Sequence, residues 1–263
     1  MPELPEVETV AKYLSLHASK RRILSIEAKD CKLANTNLLS LSNRLIEAIY
    51  RNGKQIVFEL EGPKFLWIHL RMTGRLFWFE SNPSLVDYER LRVNLDRGVI
   101  VFSDQRRFGT VKISATFAEH EARGIDPLSK SFTAKVLHKL LSKSKTAIKP
   151  WLLQQDKIVG MGNIYASEAL WAAKVKPTRK SCSLSFEETK RVHRAMRRIL
   201  RKAISYGGTT FINFANPEGS KGGYSKELRV YGRENLACPT CAKRIVRLVQ
   251  QGRSTYYCPK CQH

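Results

Sequence analysis

Apolar residues recur along this chain with two different periods, and the change of period divides it. Behind a start rich in proline and acid, Val7, Val10, Ala11 and Leu14 fall three or four apart, the spacing that lines one face of a helix. Pro2 and Pro5 suit its first turn, and Glu3, Glu6 and Glu8 suit its positive end. A helix is predicted over residues 3–18. From about residue 22 to 114 the pattern is short and β-rich. Ile56-Val57-Phe58-Glu59-Leu60, Phe65-Leu66-Trp67-Ile68-His69-Leu70 and Val99-Ile100-Val101-Phe102 are the clearest strands, with turns at Gly62-Pro63 and Asp96-Arg97-Gly98. These predict a β-sandwich flanked by the first helix. Gly124-Ile125-Asp126-Pro127-Leu128 reads as a linker, after which helical spacing returns at 135–141, behind Pro150, and at 187–204. In the last of these Lys190, Arg194, Arg197, Arg198 and Arg201 share one face, and Val192, Met196, Ile199 and Ala203 the other. Gly207-Gly208-Thr209-Thr210 ends it, and 216–224 is a loop. Arg244-Ile245-Val246-Arg247 and Arg253-Ser254-Thr255-Tyr256-Tyr257 then alternate as a hairpin does.

Cysteine spacing and charge sharpen this picture. Cys238-Pro239-Thr240-Cys241 and Cys258-Pro259-Lys260-Cys261 are two C-x-x-C pairs with sixteen residues between them, the pattern of a structural four-thiolate zinc site. Iron also accepts four cysteines, but a short basic segment without a redox setting favours one structural zinc ion, and no redox cofactor is expected. Cys31 and Cys182 have no such partners and read as structural thiols. The net charge of +23 points to a polyanion, with nucleic acid first; a ribosomal protein or a membrane-surface binder shares such a composition. No signal-like start or 18-residue apolar run is present, so an intracellular protein with no membrane partner is expected.

Several short stretches carry candidate chemistry. If Met1 is removed, Pro2 becomes a secondary α-amine, a group titrating near pH ~8 against ~10.4 for lysine. Such an amine forms an iminium that acts as an electron sink, and Glu3 beside it is a candidate proton donor. The same residues also describe an ordinary helix start. Lys54, in the turn Arg51-Asn52-Gly53-Lys54, reads on its own as a solvated charge. Met72, in His69-Leu70-Arg71-Met72-Thr73-Gly74-Arg75, reads as core filler. Gly160-Met161-Gly162-Asn163, with Asn163 as helix cap, is either a phosphate-binding helix start or a plain turn.

Taken together and in order, these motifs resemble the formamidopyrimidine-DNA glycosylase (Fpg/MutM) branch of the Fpg/Nei family. The string Met1-Pro2-Glu3-Leu4-Pro5-Glu6-Val7-Glu8 carries the resemblance most closely, and the other motifs extend it along nearly the whole chain. It implies a two-domain α+β protein: an N-terminal β-sandwich with its flanking helix over 1–125, a helix–two-turn–helix domain over 130–225, and a four-cysteine zinc-finger hairpin over 230–263. Damaged double-stranded DNA would lie in a cleft between the domains, bound by a monomer in the bacterial cytoplasm. The implied activity is excision of oxidised purines, formamidopyrimidines and 8-oxoguanine, through a Schiff base on Pro2, followed by β,δ-elimination. Glu3, Lys54 and Arg253 would share the catalysis, and Glu6 would line the base pocket. Met72, Arg106 and Phe108 would fill the hole left by the flipped nucleotide. Asn163, Lys145 and Lys149 would hold phosphate, Glu168 would sit near the active site, and Lys221 and Tyr224 would touch the base. Where many relatives carry His-x-His, this chain has Tyr88-Glu89-Arg90, with Tyr88 and Arg90 as substitute phosphate contacts. Two alternatives remain. One is a Nei-type glycosylase for oxidised pyrimidines, whose members usually depart from Leu4-Pro5 and from the Arg106–Phe108 pair. The other is a non-catalytic zinc-containing nucleic-acid-binding protein.

Overall fold

Two antiparallel sheets and one helix form the first part of the chain. The computed structural model describes residues 1–34, 37–209 and 222–263. It separates into two compact units, Met1–Glu121 with Tyr206–Ser225, and Ala122–Ser205 with Lys226–His263. In the first, helix α1 (Leu4–Ala18) precedes strand β1 (Ile23–Ala28), a short helix α2 (Cys31–Ala34), and strands β2 (Ile46–Asn52), β3 (Gln55–Leu60), β4 (Lys64–His69), β5 (Arg75–Phe79), β6 (Glu89–Leu95), β7 (Val99–Ser103) and β8 (Thr110–Ser114). The strand order is β1-β6-β7-β5 in one sheet and β2-β3-β4-β8 in the other.

The predicted helix buries Leu4, Val7, Val10, Ala11, Leu14 and Ala18. All of these but Leu4 join Ile49, Ile56, Phe58 and Ile68 of one sheet and Leu76, Val93, Ile100 and Phe102 of the other in a single apolar cluster. Strand β7 is buried at every position, which fits a central strand. Truncating a side chain such as Phe102 there would cost about 3–5 kcal/mol.

The second unit holds α3 (Ala134–Leu141), α4 (Ile148–Leu152), α5 (Asn163–Ala172) and α6 (Phe186–Ser205), then the hairpin β9 (Val246–Gln250) and β10 (Arg253–Tyr257). Gln251 and Gly252, at φ 47 and 72, make its two-residue turn, so Arg253 stands at the tip. The hairpin belongs with the helices: the C-terminal residue His263 accepts from the Lys176 N–H at 2.9 Å, and Gln262 Nε2 donates to the Val175 carbonyl at 2.8 Å. The described residues 206–209 and 222–225 instead group with the sandwich, whereas the expected domain of 130–225 keeps them with the helices. The reason is local: the Thr209 N–H donates to Glu6 Oε1 at 2.7 Å. No helix among the described residues is long and apolar enough to cross a membrane.

Candidate active site and nucleic-acid interface

Backbone hydrogen bonds to one buried carboxylate fix the start of the chain. Glu3 is the extended residue ahead of α1, and its N–H donates to Glu6 Oε2 at 2.8 Å. Glu6 Oε1 takes the Thr209 N–H. Gly208 is needed for this: its φ is +83, and a Cβ there would lie 2.8 Å from Glu6 Oε1. Glu6, expected in the base pocket, thus holds the chain start against the 206–209 segment. Pro2 and Glu3 are buried beside it.

Lys54 departs from the solvated reading. It is the second residue of the two-residue turn closed by the Asn52–Gln55 pair, yet it is only 7% exposed. Arg51 accounts for the turn's placement: its Nε donates to Glu8 Oε2 at 2.7 Å and its Nη1 to the Gly53 carbonyl at 3.1 Å. One guanidinium therefore ties the lysine's turn to α1. Burial lowers the proton affinity of the Met1 ammonium, Glu3 and Glu6 raise it, and Lys54 lowers it again. The chain terminus thus feels all three groups. His69, named in the sequence only as part of its motif, ends β4 opposite Gln55. Burial, then Arg71 and Lys54, pull its pKa down to about 4, and its Nδ1 accepts the Arg71 N–H at 3.0 Å. Its ring is neutral at pH 7.

The three wedge candidates lie on two turns of the same unit. Met72 is 42% exposed and Phe108 51% exposed, so Met72 is not core filler. The Arg106 guanidinium sits 4.7 Å from the Phe108 ring centroid. The Arg106 N–H donates to Thr73 Oγ1 at 3.2 Å, which joins the two turns. Arg71, Tyr88 and Arg107 all have left-handed φ near 55, a conformation costing about 1–3 kcal/mol that concentrates at functional sites. Tyr88 is exposed, but Arg90 is 3% exposed and cannot reach a phosphate. Its Nε instead donates to Asp30 Oδ2 at 2.5 Å and its Nη1 to the Gly109 carbonyl at 2.7 Å.

In the second unit, Asn163 is the first residue of α5, and Gly162 rather than Asn163 is the cap. The Asn163 side chain binds elsewhere: Nδ2 donates to the Ser254 carbonyl at 2.9 Å, and Oδ1 accepts from Lys149 Nζ at 2.5 Å. Lys149 is 1% exposed, and its ammonium also donates to Ser254 O at 3.0 Å and Thr255 Oγ1 at 2.8 Å. The lysine expected on phosphate is thus a clamp joining α4, α5 and β10. Lys145 and Arg253 are exposed. Glu168, expected near the active site, is buried and accepts the N–H groups of Arg229, Val230 and Tyr231 at 3.0, 2.9 and 2.8 Å. It holds the backbone that leads into the hairpin. Tyr224 is 3% exposed, its ring edge-on to Tyr206. Lys221 lies outside the described residues.

The sulfurs of Cys238, Cys241, Cys258 and Cys261 lie within 4.8 Å of one another, with separations of 3.9 Å for 238–261 and 3.5 Å for 241–258. A tetrahedron with metal–sulfur bonds of ~2.3 Å has sulfur–sulfur edges of ~3.8 Å, so the four fit one structural metal ion.

Comparison with known proteins matches this arrangement along its full length. The formamidopyrimidine-DNA glycosylase N-terminal domain matches residues 1–111, its H2TH domain matches 123–214, and a zinc finger found in FPG and IleRS matches 222–263. A protein of Desulforamulus reducens named formamidopyrimidine-DNA glycosylase is 36% identical, with 100% of this chain and 99% of its own length covered. The chain belongs to the formamidopyrimidine-DNA glycosylase family. Two solved Fpg structures from Lactococcus lactis, each at 33% identity, have its fold. The wild-type protein with DNA containing N7-benzyl-Fapy-dG gives a TM-score of 0.91 over 100% of both chains. The complex with abasic-site DNA gives 0.91 over 99% of each. Sequence reading of this Fpg-family chain missed Arg51, His69 and Thr255. Arg51 fixes the turn that carries Lys54, and Thr255 accepts from Lys149 on α4, but nothing in the string marks either residue for that task.

Proposed function

We infer that this chain is a DNA glycosylase of base excision repair that removes oxidised purines, formamidopyrimidines and 8-oxoguanine, and then cleaves the abasic strand. With Met1 removed, the Pro2 amine attacks C1′ of the damaged nucleotide and the base leaves. Glu3 protonates the sugar or the leaving group, and the resulting iminium drives β- and then δ-elimination. The observation that carries this reading is the chain start itself: Pro2 and Glu3 are buried, and Lys54 is near enough to act on the charge of the adjoining Met1 ammonium. Pro2 is itself buried, and once Met1 is removed burial would disfavour an ammonium at that position and favour the neutral nucleophile. Met72, Arg106 and Phe108 replace the extruded nucleotide, which offsets a flipping cost of a few kcal/mol. Asn163 and the hairpin tip at Arg253 hold phosphate, with Lys149 fixing Asn163 rather than touching DNA. The four-cysteine ion is zinc, a structural ion that keeps the hairpin folded.

Borohydride trapping tests the reading. The protein is mixed with a duplex containing 8-oxoguanine opposite cytosine, and the N-terminal peptide is weighed. A covalent adduct on Pro2 is expected. Trapping only with an oxidised pyrimidine would move the assignment to the Nei branch. Tight DNA binding without any adduct, even at an abasic site and with Met1 absent, would leave a binding protein.

A further inference from the structure

The wedge residues are exposed, so their own side chains do little to hold them in place. Their positions are set by the backbone, and the backbone is tied to a buried ion network that the reaction itself does not use. Asp104 is 1% exposed. One of its oxygens takes the Gly109 N–H at 2.6 Å, the other takes the Thr73 hydroxyl, and its carbonyl takes the Arg107 N–H at 3.1 Å. The loop 104–109 is thereby closed on itself and fastened to the Met72 turn. Gly109 is obligatory, since a Cβ there would lie 2.5 Å from the Phe102 ring and 3.0 Å from Asp104 Oδ2.

Arg90 reaches the same loop from β6, through the Gly109 carbonyl and, at 3.5 Å, Asp104 Oδ2. Asp30, following β1, lies at the far end. It accepts from Arg90 Nε, from Arg107 Nη2 and from the Lys32 N–H at 3.0 Å. Asp30 is therefore linked to the wedge loop at two points: to its middle through Arg107, which stands between Arg106 and Phe108, and to its end through Arg90.

Resting on the function proposed above, we propose that Asp30, through Arg90 and Arg107, is a positioning residue that holds the Arg106–Phe108 wedge in its inserting geometry. The wedge matters only when a stacked base must be extruded and its place filled. A preformed abasic site has no base to unstack, so its processing depends far less on the wedge. Asp30 is also an acid and cannot bind phosphate, so its loss cannot be mistaken for a lost DNA contact.

The test uses the full-length, metal-loaded protein with Met1 removed. Asp30→Asn keeps the shape of the side chain and removes its charge. Arg107→Gln breaks only the outer, half-exposed link and serves as the milder variant should Asp30→Asn fold poorly. Single-turnover excision of 8-oxoguanine opposite cytosine is compared with strand cleavage at a preformed abasic site, and 2-aminopurine beside the lesion reports flipping. Displaced reacting geometry costs up to ~10²-fold, so excision and flipping are expected to slow by about tenfold or more. Abasic cleavage should change by less than about twofold. Equal losses on both substrates with a lowered melting temperature would overturn the proposal in favour of a purely structural network. Unchanged rates on both, in either variant, would overturn it as well. A wild-type protein that traps no adduct would instead remove the reading on which it rests.

Discussion

Each compact unit buries a lysine below a tenth of its surface, Lys54 at 7% and Lys149 at 1%, and the two sit in different company. The Lys149 ammonium faces an amide oxygen, a carbonyl and a hydroxyl of its own unit. Those bonds join three segments that lie far apart in sequence. Lys54 sits on a hairpin turn held to α1 by Arg51, and its charge acts on the Met1 ammonium and on His69. Burial of a lysine costs desolvation in either case. In one unit that cost is offset by building the support for Asn163 and the hairpin. In the other the cation acts on the chain start, where the proposed reaction would begin, and perturbed charges tend to gather where chemistry is done.

The comparison breaks most completely if the hairpin does not need its ion. Apparent binding free energies of structural zinc are about 10–16 kcal/mol, far more than any side-chain contact in this unit. Stripping the metal with a strong chelator should therefore unfold the hairpin and abolish specific DNA binding, as read by fluorescence anisotropy. Retention of wild-type affinity in the metal-free protein would show that the clamp stands without it. Next in size is Lys54→Met. Loss of a cation acting in proton transfer costs about 10²–10⁴-fold in rate, so elimination after base loss should fall by at least ~10²-fold. The melting temperature should hold within a few degrees, since the desolvation cost of a buried ammonium is removed along with its contacts. Lys149→Met should show the reverse profile. Three oxygens lose a donor, at about 1–3 kcal/mol for an unsatisfied buried group. DNA affinity and stability should drop together, with affinity down by about tenfold, while trapping at saturating DNA persists. Matching profiles for the two variants would erase the distinction.

Much of this was legible in the string. Period-two and period-3.6 patterns marked the sandwich, α1 and α6, and the C-x-x-C pairs marked the sulfur cluster, because those signals are local. What the string hid was where polar side chains point. Lys54 reads as a turn lysine until Arg51 is seen to draw the turn against α1. Lys149 and Glu168 read as contacts for DNA until their own unit proves to occupy them. Arg90 stands where relatives often carry a histidine pair, and its partner Asp30 lies 60 residues away. Pairings at that separation are fixed by strand order, β6 beside β1, and strand order is not written in any one segment.

The smallest prediction concerns His69, and it asks whether the surroundings of Lys54 are as dry as its burial implies. Protonating this ring would place a third cation beside Arg71 and Lys54 and would put a proton on Nδ1, which now accepts the Arg71 N–H. Its pKa in the folded protein is lowered to about 4, against ~6.5 in an unfolded chain. A depressed pKa means that its contribution is fully present above pH ~6.5 and is lost as the pH falls through about 4, because the unfolded chain takes up the proton first. His69→Gln should therefore flatten the fall in melting temperature between pH 7 and pH 4 while changing little above pH 7. The same ring should give no inflection near pH 6.5 in the rate of abasic-strand cleavage. An inflection there that vanishes in His69→Gln would mean that the ring is solvated, and with it the turn on which Lys54 is held.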